Sequence, residues 1–314
     1  MFLSSLVLKG FKSYSERVEV NFSPKIAVII GSNGVGKSNA LEGIAWALGE
    51  DDLNALRCRN RMDLFFGGSQ ITAPADEASI ELTFENSSTR HRFCRCLSRS
   101  GKEVFMVNDT AVSGVPEYQE ALNSIGVPTR CHNVIRQEEL TDFFVKPPSE
   151  RRHYLQQYIG SDGDLERVNN LFDEYIQALL PGSRARIVNW NGEVGPDLEV
   201  TFPDKGVKWG VLLSGGERAV TALALKLALF NLVRSPMFMM DEVEPSMDWT
   251  RNHNMQGLLK KISQNRQLIM VTHFQSTIQM ADTVHGVRIR PDGSSWLKFH
   301  FLMDERLFKI YKCC

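Results

Sequence analysis

Apolar and polar positions alternate at strand period in RVEVNF, residues 17–22, and with the mostly apolar residues 3–8 predict two short strands around a turn at 10–15. Residues 25–30 form a continuous β-branched run, the pattern of a strand buried on both faces. That run passes directly into a glycine loop. From Lys37 onward Leu41, Ile44, Ala45 and Leu48 recur at helical spacing, and Gly49 stands where a helix stops. Between 78 and 112 the stretches ASIELTF, RHRFCRCL and EVFMVND alternate again, predicting an antiparallel meander followed by a helix over 117–125.

Over 150–180 the pattern predicts two helices broken at 160–164, the most linker-like segment of the chain and the expected lobe boundary. The second half offers strands at 184–189, 197–202, 237–241 and 267–272, with helices over 214–233 and about 250–264. Alternation of this kind predicts a largely parallel sheet. The fold class is α/β: a mostly parallel sheet, an antiparallel meander subdomain and a helical lobe. Residues 1–160 form the expected N-terminal lobe and 161–314 the C-terminal one.

Composition narrows the class without changing it. With 43% apolar and 23% charged residues, the chain is neither disordered nor fibrous. Lys and Arg number 36 against 37 Asp and Glu. Split at residue 160, the counts are 18 against 19 and 18 against 18. Nucleic-acid contact therefore has to come from local patches. The richest apolar stretch, 219–233, is interrupted by Lys226 and Asn231, and the first residues lack a basic region, so the reading is a soluble, cytoplasmic protein with no membrane contact. Six cysteines without a C-x-x-C pair or zinc spacing read as reduced structural thiols.

The chemistry begins at 31–38. GSNGVGKS fits G-x-x-x-x-G-K-[ST] in full, between a strand and a helix. In that pattern backbone N–H groups of Ser32, Asn33, Gly34, Val35 and Gly36 converge on phosphates at a helix N-terminus, Lys37 neutralises them, and Ser38 can ligate Mg²⁺. Residues 236–242, PMFMMDE, are an apolar strand ending in two acids, of which Asp241 suits a metal and Glu242 an attacking water. In LSGGE, Leu213 to Glu217, Ser214 is an N-cap and Glu217 its capping-box partner. Gly215 and Gly216 leave that second helix N-terminus open to an anion.

Together with Thr272-His273 and the stretches LVLKGFKSY, VIRQEELTDFF, KPPSERR and DEVEPSMD, these motifs make the chain resemble the head domain of structural maintenance of chromosomes (SMC) proteins, ATPases of the ATP-binding-cassette type. The resemblance covers nearly the whole chain. It implies an Mg²⁺-dependent, dimer-activated ATPase whose heads pack head to tail around two ATP, as a homodimer or with a paralogous head, gating DNA entrapment. Carried over, Lys37, Ser38 and Asn39 bind nucleotide, Gln137 and Asp241 serve the metal, Glu242 is the general base and His273 a γ-phosphate switch. Arg57 reaches the phosphates, Lys12 and Ser13 lie near the nucleotide, and Asp248 sits at the dimer seam. A kleisin subunit and double-stranded DNA are the implied partners, with a chromosomal or nucleoid location (nuclear if eukaryotic). Arg59, Arg61, Arg90, Arg92, Arg95 and Arg99 form a candidate DNA-phosphate patch. Two departures stand out: no heptad arms follow Arg152, which implies lobes joined near 160–164, and Pro245-Ser246-Met247 replaces small residues before Asp248. The competing readings are the head of a related double-strand-break repair ATPase, and an ATP-dependent dimerisation module with negligible turnover.

Overall fold

The computed structural model describes residues 1–128, 134–136, 142–192, 195–233, 235–244 and 248–302, the side chains of 298–302 excepted. In chain order its first half holds β1 (Phe2–Lys9), β2 (Val18–Asn21), β3 (Ile26–Ile30), α1 (Lys37–Ala47), β4 (Glu77–Glu85), β5 (Arg90–Ser98), β6 (Glu103–Val107), β7 (Thr110–Ala111) and α2 (Val115–Ser124). Then come β8 (Val134–Arg136), α3 (Asp142–Val145), α4 (Pro148–Gln156), α5 (Asp162–Leu179), β9 (Arg184–Val188), β10 (Asp197–Phe202) and β11 (Gly206–Trp209). The last are α6 (Gly215–Leu232), β12 (Met237–Asp241), α7 (Trp249–Ile262), β13 (Gln267–Val271), α8 (Gln275–Ile278), β14 (Thr283–Ile289) and β15 (Ser295–Leu302).

Two compact units divide the chain discontinuously. One holds residues up to 134, then 236–241 and those from 265 onward; the other holds 135–235 and 242–264. In the first unit β2-β1-β4-β5-β6-β7 form a sheet that is antiparallel at every pairing. The strands β14, β3, β13 and β12 form a second, parallel sheet, closed at one edge by antiparallel β15. Helix α1 packs against both sheets, which is why its apolar residues are spread all round rather than in one stripe. Its glycine has a steric reason: a Cβ on Gly43 would lie 3.0 Å from Leu8 Cδ2 and 3.1 Å from Ile80 Cδ1.

The second unit is built on helix packing. Val168, Phe172, Tyr175, Ile176 and Leu179 recur at helical spacing and are the buried residues of α5, which contacts α6, α7 and β9. Here one expectation is corrected. The strands at 184–188 and 197–202 do not join the parallel sheet but pair antiparallel with each other, and β11 pairs antiparallel with 197–202. Within the segment 160–164, Ser161 caps α5 by accepting from the Asp164 N–H, and Asp162 and Asp164 lie in the first turn, where carboxylates favour the helix dipole.

Candidate nucleotide-binding site

Strand register in the parallel sheet brings the expected phosphate chemistry to one edge. Asp241 is level with Val271, and Val271 with Ile29. The loop at 31–38, the Asp241-Glu242 pair and His273 therefore all leave the carboxyl ends of three adjacent strands, where open α/β sheets bind ligands. Asp241 is buried, His273 is exposed, and the fully buried Thr272 accepts from the Phe274 N–H at 3.0 Å.

The loop itself requires its glycines. Gly34 has φ 78° with open space about it, and Gly36 has φ 95° as the left-handed N-cap of α1. A Cβ on Gly36 would fall 2.3 Å from Ser295 Oγ and 2.4 Å from Ser13 Oγ. No side chain caps α1, so its first N–H groups remain available to an anion. Lys37 is buried and donates to the carbonyls of Gly31 (3.0 Å) and Ser32 (3.1 Å), folded over the cradle it would neutralise. Tyr14, whose phenol burial holds protonated, donates to the Gly36 carbonyl at 2.9 Å. Ser13 accepts from Asn39 Nδ2 at 2.8 Å, and Ser295 donates its N–H to the Ser13 carbonyl at 2.7 Å.

The charged groups form one network. Ser38 donates to Asp241 Oδ1 at 2.9 Å, and Arg57 donates to Asp241 Oδ2 at 3.1 Å. A second guanidinium nitrogen of Arg57 lies 3.4 Å from Glu42 Oε1, and Lys12 donates to Glu42 Oε2 at 2.5 Å. Glu42 escaped the sequence reading, although it lies four residues after Ser38 on the same helix face. Lys12, Arg57 and Glu242 have φ of 47°, 51° and 49°. Left-handed backbone at these non-glycine residues is conformational strain. The set suits a magnesium nucleotide: a hydroxyl, one carboxylate beside it, and a cationic rim for phosphates. Among the described residues no cluster of three His, Cys, Asp or Glu could hold a metal.

The LSGGE motif and Asp248 belong to the second unit. Ser214 caps α6 by accepting from the Glu217 N–H, while Glu217 accepts from the Ser214 N–H at 2.8 Å. Burial pushes the Glu217 carboxyl up, but Lys205 at 2.8 Å, the Ser214 groups and Lys208 at 3.3 Å outweigh it and hold it at about 2. The two lysines were not foreseen. Ser214 and Gly215 are exposed, and a Cβ on Gly215 would meet nothing within 4 Å. Asp248 caps α7 through the Arg251 N–H at 2.9 Å. Gln137 and Pro245-Ser246-Met247 lie outside the described residues.

Comparison with known proteins decides the family. The model of the RecF/RecN/SMC N-terminal domain matches residues 2–295. The chain belongs to this family. Among solved structures, an Smc head bound to the C-winged helix domain of ScpA superimposes on this SMC-family chain with a TM-score of 0.85 at 27% identity, covering 98% of this chain and 100% of that one. The SMC head domain from Thermotoga maritima gives 0.70 at 28% identity, covering 97% and 100%. Chromosome partition protein Smc of Mycobacterium tuberculosis is 30% identical over 167 residues, 51% of this chain. The match spans only 14% of that relative's length.

In this SMC-family head the arginine patch does not hold together. Arg95 is 2% exposed and points into the core, where it stacks on Trp46 and bonds Glu103, so it cannot meet DNA. Strand alternation explains the error, because β5 turns Phe93, Arg95 and Leu97 inward. Arg92 is paired with Asp109 at 2.7 Å and with Glu81, Arg61 with Glu103 at 3.0 Å, and Arg99 packs on Phe65. Arg59 and Arg90 are exposed. No described helix is long and apolar enough to cross a membrane.

Proposed function

We propose that the chain is the ATP-binding and ATP-hydrolysing head of a chromosome-organising SMC protein. The reading rests above all on the Ser38–Asp241–Arg57 network beneath a phosphate loop with an open helix N-terminus. Lys37 and the backbone N–H groups of 32–36 hold the phosphates, and Lys12 and Arg57 complete the cationic rim. Mg²⁺, held by Ser38 and Asp241, would neutralise charge on the phosphates during transfer. Glu242, next to Asp241, takes a proton from the attacking water, Gln137 orients that water, and His273 stands by the terminal phosphate.

Dimerisation follows from the same electrostatics. The α6 N-terminus is a second positive end, and nothing in its own fold demands glycine at position 215. Such a tip serves a phosphate bound by a partner head, so ATP binding stabilises the pair and hydrolysis releases it. Asp248 lies at that seam, and DNA entrapment is gated by opening and closing it. A kleisin partner is supported by the similar Smc head solved bound to the C-winged helix domain of ScpA. On this reading the connection through 160–164 takes the place of the arms that the family resemblance implies, and the location is the chromosome. Phosphate release by the wild type against Lys37→Ala tests the enzyme reading: turnover abolished with the lysine supports it, and turnover that survives counts against it.

A further inference from the structure

The sequence Phe93-Cys94-Arg95-Cys96-Leu97 lies on β5, where alternation puts both cysteines on the face opposite Arg95. Their sulfurs are 3.4 Å apart. Ser79, level with Cys96 on the neighbouring strand, accepts from the Cys96 thiol at 3.3 Å and lies 3.7 Å from Cys94 Sγ. Cys96 is half-buried and reachable, whereas Cys94 is 7% exposed. The Cys94 contact, helped by Ser79, lowers the Cys96 thiol to about 7 against burial and the charges of Glu77 and Glu81; the same contact and burial push Cys94 up. Cys96 is therefore the more readily ionised of the two thiols and Cys94 the one that keeps its proton. Cys58, by contrast, is buried with its thiol raised by burial.

We propose that Cys94 and Cys96 form a reversible oxidation site: a hydroperoxide oxidises Cys96, and Cys94 closes a disulfide across Arg95. In the first step the Cys96 thiolate attacks one peroxide oxygen, the O–O bond breaks, and the other oxygen leaves as hydroxide or alkoxide, which becomes water or alcohol by taking up the proton released when the Cys96 thiol ionised. In the second step Cys94 sulfur attacks the Cys96 sulfenic sulfur, the S–O bond breaks, and the departing oxygen leaves as water with the Cys94 proton. Two thiols lose two electrons and two protons, and the peroxide takes up both.

The closure acts on Arg95. Two residues along a strand advance about 6.6 Å, at the upper end of the Cα separation that a disulfide spans. Closing the bond draws 94 and 96 together and tilts the residue between them. Arg95 donates to the Trp46 carbonyl at 2.6 Å, to Glu103 at 2.7 Å and to Asp51 at 2.6 Å, and stacks on Trp46 4.6 Å from the ring centre. Trp46 belongs to the helix that begins at Lys37, so oxidation loosens the far end of the phosphate helix. This consequence rests on the ATP-binding reading; the disulfide does not.

The reduced protein is exposed to hydrogen peroxide, its remaining thiols are capped with N-ethylmaleimide, and trypsin cuts after Arg95 to separate the two cysteines. The expected product is a dithiothreitol-sensitive crosslink between the Cys94 and Cys96 peptides, with dimedone labelling Cys96 in Cys94→Ser. Recovery of both as maleimide adducts, or of Cys96 as sulfinic acid beside capped Cys94, overturns the proposal. Oxidation should also weaken binding of a fluorescent ATP analogue by about threefold or more, reversed by dithiothreitol and absent in the Cys94→Ser/Cys96→Ser variant. Unchanged affinity with the crosslink formed overturns the link to the helix. Reduced protein that binds no analogue overturns the ATP reading instead.

Discussion

Arg57 grips Asp241 from one side while Ser38 holds it from the other, at 3.1 and 2.9 Å. The carboxylate on which a metal would rest is thus already part of a charge network that reaches Glu42 and Lys12. On the proposed reading, an arriving magnesium nucleotide would compete for Asp241 and offer phosphates to the guanidinium in exchange. Arg57→Ala should lower ATP turnover by about 10- to 100-fold, the worth of one charged hydrogen bond. Arg57→Lys should not restore it, since an ammonium cannot fork between two carboxylates. Steady-state phosphate release checks this, and wild-type turnover in Arg57→Ala would refute it.

A second expectation separates structural from surface arginines. Removing the Arg95 side chain leaves Glu103 and the end of α1 without their buried donor, so Arg95→Ala should cost about 3–5 kcal/mol. Arg92→Ala, on a solvated face, should stay within about 0.5 kcal/mol. Urea titrations measure both, and equal costs would contradict the inward assignment.

The same pair marks where the sequence could and could not be read. The phosphate loop, the meander, the capped α6 and the acid-ended β12 were legible because each has a local signature: glycine spacing, period two, a capping box, an apolar run. The partners of Arg57 were not, since Glu42 and Asp241 come to it from distant segments. Arg95 misled because charge argues for solvent while strand period argues for the core, and the core won through Glu103, Asp51 and Trp46. The antiparallel β9–β11 sheet was missed because β11, with Val207 and Trp209 exposed, carries little buried pattern. The Lys205 and Lys208 contacts to Glu217 arise only when that sheet folds back toward α6.

Glu217 gives a pH dependence. Its carboxyl is held at about 2, below the ordinary 4.5, so the folded form prefers the charged state. The stabilisation is fully present above pH 4.5 and is lost as pH falls through 4.5 toward 2. Wild type should exceed Glu217→Gln in urea midpoint at pH 6, and the gap should shrink below pH 4.5. A gap that widens on acidification would contradict the assignment.

Ser214 separates folding from pairing. Ser214→Ala loses only a cap, about 1 kcal/mol. Ser214→Arg also places a bulky side chain at the exposed tip of α6, and should bind ATP normally yet remain monomeric in light scattering. Failure to bind ATP would move Ser214 into the site of its own chain.

The central claim is that ATP joins two heads and that Glu242 ends the union. If Glu242 is the base, Glu242→Gln removes it while leaving the proposed phosphate-binding groups in place, so with saturating Mg-ATP it should elute from a sizing column as a dimer, reverting to monomer without nucleotide. Glu242→Gln that binds ATP and still elutes as a monomer would contradict the account.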